Sequence, residues 1–189
     1  EKGIETVLKN DDFWADKTQV SVILKSDLTV DVTAWDGDTN PQVFGNANTE
    51  TITIDLQGKT LTFEQLNSDW NNIAANNAKL IIKNGHITSS GYNNGPWNRH
   101  DLNFACEVEL IDITTDKAIA LKNAGTLTNV TISDANTSDT YALWIQPNGQ
   151  TVTLDGCTID MIDCTDGRGI KIDEQYLDAS EVKKVTLNV

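Results

Sequence analysis

Apolar and polar residues alternate along this chain in short bursts, with a period of two rather than 3.6. Ile52, Ile54 and Leu56 are spaced by threonine and aspartate, and Leu80/Ile82, Val108/Leu110 and Val152/Leu154 repeat the pattern downstream. Such alternation describes strands with one buried face and one wet face. Each burst runs into the same phrase: an apolar residue, any residue, then glycine, asparagine or aspartate, then a second short strand. It reads Leu56-Gln57-Gly58-Lys59-Thr60-Leu61, Ile82-Lys83-Asn84-Gly85-His86-Ile87 and Leu110-Ile111-Asp112-Ile113-Thr114-Thr115. It returns as Leu127-Thr128-Asn129-Val130-Thr131-Ile132 and Leu154-Asp155-Gly156-Cys157-Thr158-Ile159. The third residue is always of a type that tolerates positive φ. One residue in that conformation bends a strand sharply without a loop, and stacked Asn or Asp side chains there can bond to one another along the stack. A hairpin would want two such residues and would reverse the chain.

After the second strand, polar segments of varying length lead to a third. The third strands are expected at Phe104-Ala105-Cys106, Ile119-Ala120-Leu121, Leu143-Trp144-Ile145 and Ile170-Lys171-Ile172. Three strands per repeat, with uneven spacing absorbed by loops, predict stacked rungs rather than a sandwich or an up-and-down barrel. In this register Lys59 is a misfit, because it would point inward. The ends extend the pattern. Ile4, Val7 and Leu8 predict a short amphipathic helix over Gly3–Asn10 that caps the stack, and Val20 to Val32 reads as the first rung. Val185, Leu187 and Val189 open a rung that is expected to continue in further rungs or domains past Val189. The predicted fold is thus all-β: a right-handed, single-stranded parallel β-helix over residues 1–189 as one domain, with the cap in 1–12 and rungs in 20–189.

The order of cap helix, rung strands and turn residues Gly58, Asn84, Asp112, Asn129 and Gly156 resembles the pectate-lyase-like right-handed β-helix superfamily. More narrowly, Tyr141–Gly156 (YALWIQPNGQTVTLDG) and Gly167–Tyr176 (GRGIKIDEQY) are similar to β-helix repeat proteins of the surfaces of gut-dwelling Gram-positive bacteria, of the adhesin type. That resemblance implies an extracellular or cell-surface location, with any secretion signal upstream of Glu1. It also implies saccharide binding along the strand face that follows the most variable loops.

Composition narrows the partners. Asp and Glu number 28 against 14 Lys and Arg, for a net charge of −14. A field of that sign repels phosphate backbones and anionic membrane surfaces, so nucleic acid is not an expected partner. No apolar run approaches the roughly 20 residues of a membrane-spanning helix, so membrane insertion is not expected either. Cys106, Cys157 and Cys164 are an odd set without metal-ligand spacing, and His86 and His100 do not complete a site. Cys157 reads as a small core residue and Cys164 as a free thiol in a polar loop.

Two groups of residues carry the binding expectation. Alternation in the third strands turns Trp144, Gln146, Lys171 and Asp173 outward, with Ala120 and Lys122 one rung earlier. Trp144 then stands beside Lys171 as a stacking platform, or packs beneath a neighbouring loop. The Ser90–Asp101 segment brings Tyr92, Trp97, Arg99 and His100 together in a Gly/Pro-framed excursion. Aromatic faces stack on sugars while amides and charges bond hydroxyls; alternatively Tyr92 and Trp97 pin the loop and Arg99 pairs with Asp101. Asp134, Asp139, Asp160, Asp163 and Asp166 offer oxygen ligands without the spacing of a defined calcium loop, so no cofactor is expected, with calcium as the alternative. A lyase would draw its base from Arg168 or Lys171 and its metal ligands from Asp163 or Asp166. A hydrolase would need a carboxylate partner for Asp173, and none is evident. No catalytic residue is assigned. The expected function is a surface module binding a host glycan or glycoprotein, such as a mucin or an immunoglobulin. The alternatives are a calcium-assisted polysaccharide lyase or glycoside hydrolase fragment, and a structural spacer.

Overall fold

The computed structural model describes residues 11–31, 44–64, 73, 75, 78–90, 102–133, 141–146, 149–161, 168–172 and 185–189. Its one described helix is a single turn, α1 (Asp11–Trp14). The strands begin with β1 (Gln19–Ile23), β2 (Leu28–Asp31), β3 (Thr51–Asp55), β4 (Thr60–Glu64) and the long β5 (Lys79–Ser90). They continue as β6 (Leu102–Phe104), β7 (Val108–Thr115), β8 (Ile119–Leu121), β9 (Gly125–Thr128) and β10 (Thr131–Ser133). The last are β11 (Tyr141–Ile145), β12 (Thr151–Asp155), β13 (Thr158–Asp160), β14 (Arg168–Ile172) and β15 (Thr186–Asn188).

Every pairing between these strands is parallel. One sheet runs β1-β3-β5-β7-β9-β12-β15, with β4 joining β2 to β5 and β10 joining β7 to β13; a second runs β14-β11-β8-β6. The chain is all-β with parallel sheets, compatible with a parallel β-helix. Alternation sets the register. Val20, Ile52, Leu80, Val108, Gly125, Val152 and Leu187 form one column of partners, and Val22, Ile54, Ile82, Leu110, Leu127 and Leu154 the next. Within the interior rungs these side chains are almost fully buried, so each rung adds aliphatic layers to one continuous core.

All the turn residues expected to adopt positive φ do so: Gly58 (77°), Asn84 (62°), Asp112 (53°), Asn129 (53°) and Gly156 (63°). Asn84 and Asp112 lie inside β5 and β7, so a strand pair expected on either side of each is one strand bent at a single residue. The side chains also bond along the stack. The Asn84 amide donates to Asp55 Oδ1 at 2.9 Å, and the Asn129 amide donates to Asp112 Oδ1 at 2.9 Å.

The earliest of these turns departs from the expected alignment. Ile82 pairs with Ile54, not Leu56, and Thr60 pairs with His86. The bend therefore takes the longer stretch Leu56–Lys59, in which Gln57 also has positive φ (51°). Leu56 is fully buried and occupies the inward space over Gly85, where a β-carbon would meet Leu56 Cβ and the Lys59 carbonyl oxygen at 2.6 Å each. Lys59 consequently has no inward slot to fill, and it is half-buried.

Two further expectations resolve. The strand expected at Phe104–Cys106 runs Leu102–Phe104, and Cys106 lies beyond it, with burial pushing its thiol up to about 12. Cys157 is half-buried against the core, its thiol donating to the Leu127 carbonyl at 3.2 Å. The cap helix over Gly3–Asn10 lies outside the described residues, as does Cys164. The turn α1 sets Trp14 into the core, edge-on to Phe13, and the Asn46 amide caps the Trp14 carbonyl at 2.7 Å.

Candidate functional site

The second sheet was the expected ligand face. Its register holds: Trp144 pairs with Lys171 on one side and Ala120 on the other, and Ala120 pairs with Asn103. Its exposure does not. Trp144 is only 3% exposed, and Asn103, Ala120 and Ala142 on the outer side are likewise buried. The chain itself covers both faces of β6, β8 and β11, so Trp144 cannot offer its ring to a sugar. This corrects the stacking-platform expectation and selects the packing alternative. The indole lies 6.2 Å from the Tyr141 ring, and Lys171 Nζ stands 5.5 Å from the same ring on its β14 side. That set is a packed aromatic-cation cluster, with Lys171 half-buried.

Tyr92, Trp97, Arg99 and His100 lie outside the described residues. So do Asp134, Asp139, Asp163, Asp166 and Asp173. Asp160 is described and half-buried on β13. Among the described residues, no group of three or more His, Cys, Asp or Glu side chains is placed to hold a metal ion.

A different face gathers polar chemistry. Past the turn residues, alternation sends Leu61, Phe63, Ile87 and Ile132 inward and every second residue outward. One outward column runs Thr60, His86, Thr114, Thr131 and Thr158 through consecutive parallel pairings. A second, two residues further along the strands, runs Thr29, Thr62 and Thr88, and Ser133 with Asp160. All of these side chains are half-buried or exposed. In-register parallel strands repeat at about 4.8 Å, so the hydroxyls form rows at that spacing.

At the centre of this face the rows are knitted together. His86 Nδ1 and Thr114 Oγ1 are 2.9 Å apart, and the Thr88 hydroxyl donates to Asp116 Oδ1 at 2.6 Å. Burial works to raise the Asp116 pKa, but the Thr88 hydroxyl and the nearby Lys117 ammonium outweigh it and hold the carboxyl below its ordinary value. His86 Nε2 lies 3.7 Å from Asp116 Oδ1, beyond hydrogen-bond length. The imidazole is thus not clamped by a carboxylate in the way a general base beside a hydroxyl nucleophile would be. Elsewhere the rows keep capacity in reserve: the hydroxyls of Thr60, Thr62, Thr131 and Thr158 bond to no other described residue.

The neighbouring face, over β3 and the first halves of β5 and β7, differs. There Lys79 bonds Glu109 at 2.6 Å and lies 3.7 Å from Glu107, while Lys83 lies 3.7 Å from Asp55. The Glu109 bond, against some burial, holds the Lys79 pKa above its ordinary value. Its charges are satisfied within the sheet. The hydroxyl face was missed in the sequence because threonine is also a strong strand former, so Thr60-Leu61-Thr62, His86-Ile87-Thr88 and Thr131-Ile132-Ser133 read only as strand. The signal was the vertical repetition of hydroxyls at one position after each turn. No protein-family model, curated protein or solved structure matches this chain.

Proposed function

We propose that this chain is a right-handed parallel β-helix module, closed at its N-terminal end by a short helix, that binds a glycan or glycoprotein at a bacterial cell surface. The adhesin-like, pectate-lyase-like resemblance of its repeats motivates the class. The observation that carries the binding reading is the hydroxyl face: Thr60, His86, Thr114, Thr131 and Thr158 aligned by consecutive parallel pairings beside a second polar row. Hydroxyl, imidazole and carboxylate groups set on a rigid sheet suit partners rich in hydroxyls.

The test is a glycan array probed with the whole chain, run beside an assay for unsaturated uronate and reducing-end release. The expected result is retention on glycan spots with no product released. Product release would replace the reading with a lyase or hydrolase. Binding to nothing on the array would leave the chain as a spacer between other surface modules.

A further inference from the structure

We propose that the hydroxyl face takes a linear, uncharged glycan that lies across the strands, along the direction of stacking, one sugar to a rung. This rests on the glycan-binding reading and adds the ligand's shape, charge and direction.

The direction follows from where the chemistry repeats. Along β4 the outward hydroxyls end after two positions, Thr60 and Thr62, where Glu64 follows. Across the strands one position stays polar and hydrogen-bonding from Thr60 to Thr158, and its neighbouring row does the same at Thr29, Thr62 and Thr88. A ligand that gains the same contact repeatedly must therefore advance from rung to rung. An extended, equatorially linked pyranose chain advances by slightly more than one strand spacing, about 4.8 Å, per sugar and turns over at each linkage, so successive sugars offer hydroxyls to both rows in turn. The two rows flank such a chain as parallel rails.

The charge follows from the carboxylates. Asp160 stands in the second row, Asp116 accepts from Thr88 of that row, and the whole chain carries a net charge of −14. A uronate or sulfated polymer would approach against that field, whereas a neutral chain meets no such repulsion. The reserve hydroxyls on Thr60, Thr62, Thr131 and Thr158 supply both donors and acceptors, as sugar hydroxyls require.

Calorimetric titration with β-1,4-linked oligomers of glucose and of N-acetylglucosamine, from dimer to hexamer, tests the proposal. Affinity is expected to climb with each sugar up to about the pentamer, by roughly two- to tenfold per bonded residue, and then to level off. Thr131→Val should weaken binding of the longer oligomers by about two- to tenfold at an unchanged melting temperature. Thr53→Val, on the neighbouring face, should leave it unchanged. Equal affinity from the dimer upward would show recognition of a chain end and overturn the proposal while leaving glycan binding intact. So would equal losses in the two variants, or tighter binding of a uronate oligomer than of the neutral ones. If no oligomer binds and the array is also blank, the glycan-binding reading itself fails.

Discussion

The side-chain amide of Asn129 donates to the Asp112 carboxylate at 2.9 Å, joining residues 17 positions apart that occupy the same turn in successive rungs. Both have positive φ, at 53°. Two effects therefore meet at Asn129: tolerance of the left-handed conformation and a hydrogen bond along the stack. Asn129→Ala loses both and is expected to cost about 2 kcal/mol, whereas Asn129→Gly keeps the conformation and should cost about 1 kcal/mol. Urea unfolding of the two variants separates the contributions. Equal losses would mean that the backbone conformation contributes nothing.

Gly85 presents the opposite problem, too little room. A β-carbon there would press on Leu56 and on the Lys59 carbonyl. Gly85→Ala should destabilise the fold by about 1–3 kcal/mol through overpacking. Leu56→Ala alone leaves a cavity and should cost about 2–5 kcal/mol. Alanine at 56 removes the Leu56 Cδ1 contact at 3.0 Å but keeps the β-carbon and the Lys59 carbonyl, so the double variant should lose only somewhat less than the sum. Strict additivity in denaturant titrations would contradict the shared-space account.

For Trp144 the expected readout is stability. Its ring is buried between sheet and cover and lies beside Tyr141, so Trp144→Ala should cost about 3–5 kcal/mol of folding free energy. Binding by the fraction still folded should be unchanged. A well-folded variant that has lost glycan binding would return the site to the second sheet.

Acid should expose the turn carboxylates. The Asn84 amide bond holds the Asp55 pKa below its ordinary value, opposed by partial burial and helped by the Gln57 amide and Lys83. A carboxyl whose folded pKa is depressed contributes stability that is present above the unfolded value of about 3.9 and lost as pH falls through the folded value. Wild type should therefore exceed Asp55→Asn in stability at neutral pH, with the gap closing below about pH 4. Melting temperatures of both proteins across the acid range would measure it, and a constant gap would exclude the linkage.

How much of this could be read from the chain depended on which signals repeat. Gly58, Asn84, Asp112, Asn129 and Gly156 announced their turns because positive φ restricts residue type at a single position, and the structure places positive φ at each. The longer bend at Leu56–Lys59 was hidden. A lengthened turn preserves the apolar periodicity on both sides, and only its partner Gly85 reveals that Leu56 leans across. For Trp144 the sequence carries the register and leaves two environments open, an exposed platform or a packed ring, of which the structure has the second. Alternation assigns a side of a sheet but does not say what covers that side. The hydroxyl rows escaped for a related reason: linear reading weighs neighbours along a strand, while Thr114 meets His86 and Thr131 only when rungs stack.

The purely parallel, neighbour-to-neighbour pairing of the strands has a consequence for how the molecule comes apart. Each strand in the order from β1 to β15 exchanges backbone hydrogen bonds only with the rungs beside it, so cohesion resembles a one-dimensional chain of coupled links. Opening an outer link breaks one interface, whereas opening an inner link breaks two. Amide deuterium uptake should therefore be graded, slowest around β5 and β7, where the strands are longest and bonded through both halves, and quicker in the short strands away from them. Local damage in such an array stays local. A weakened rung would split the stack into two shorter segments instead of melting the whole.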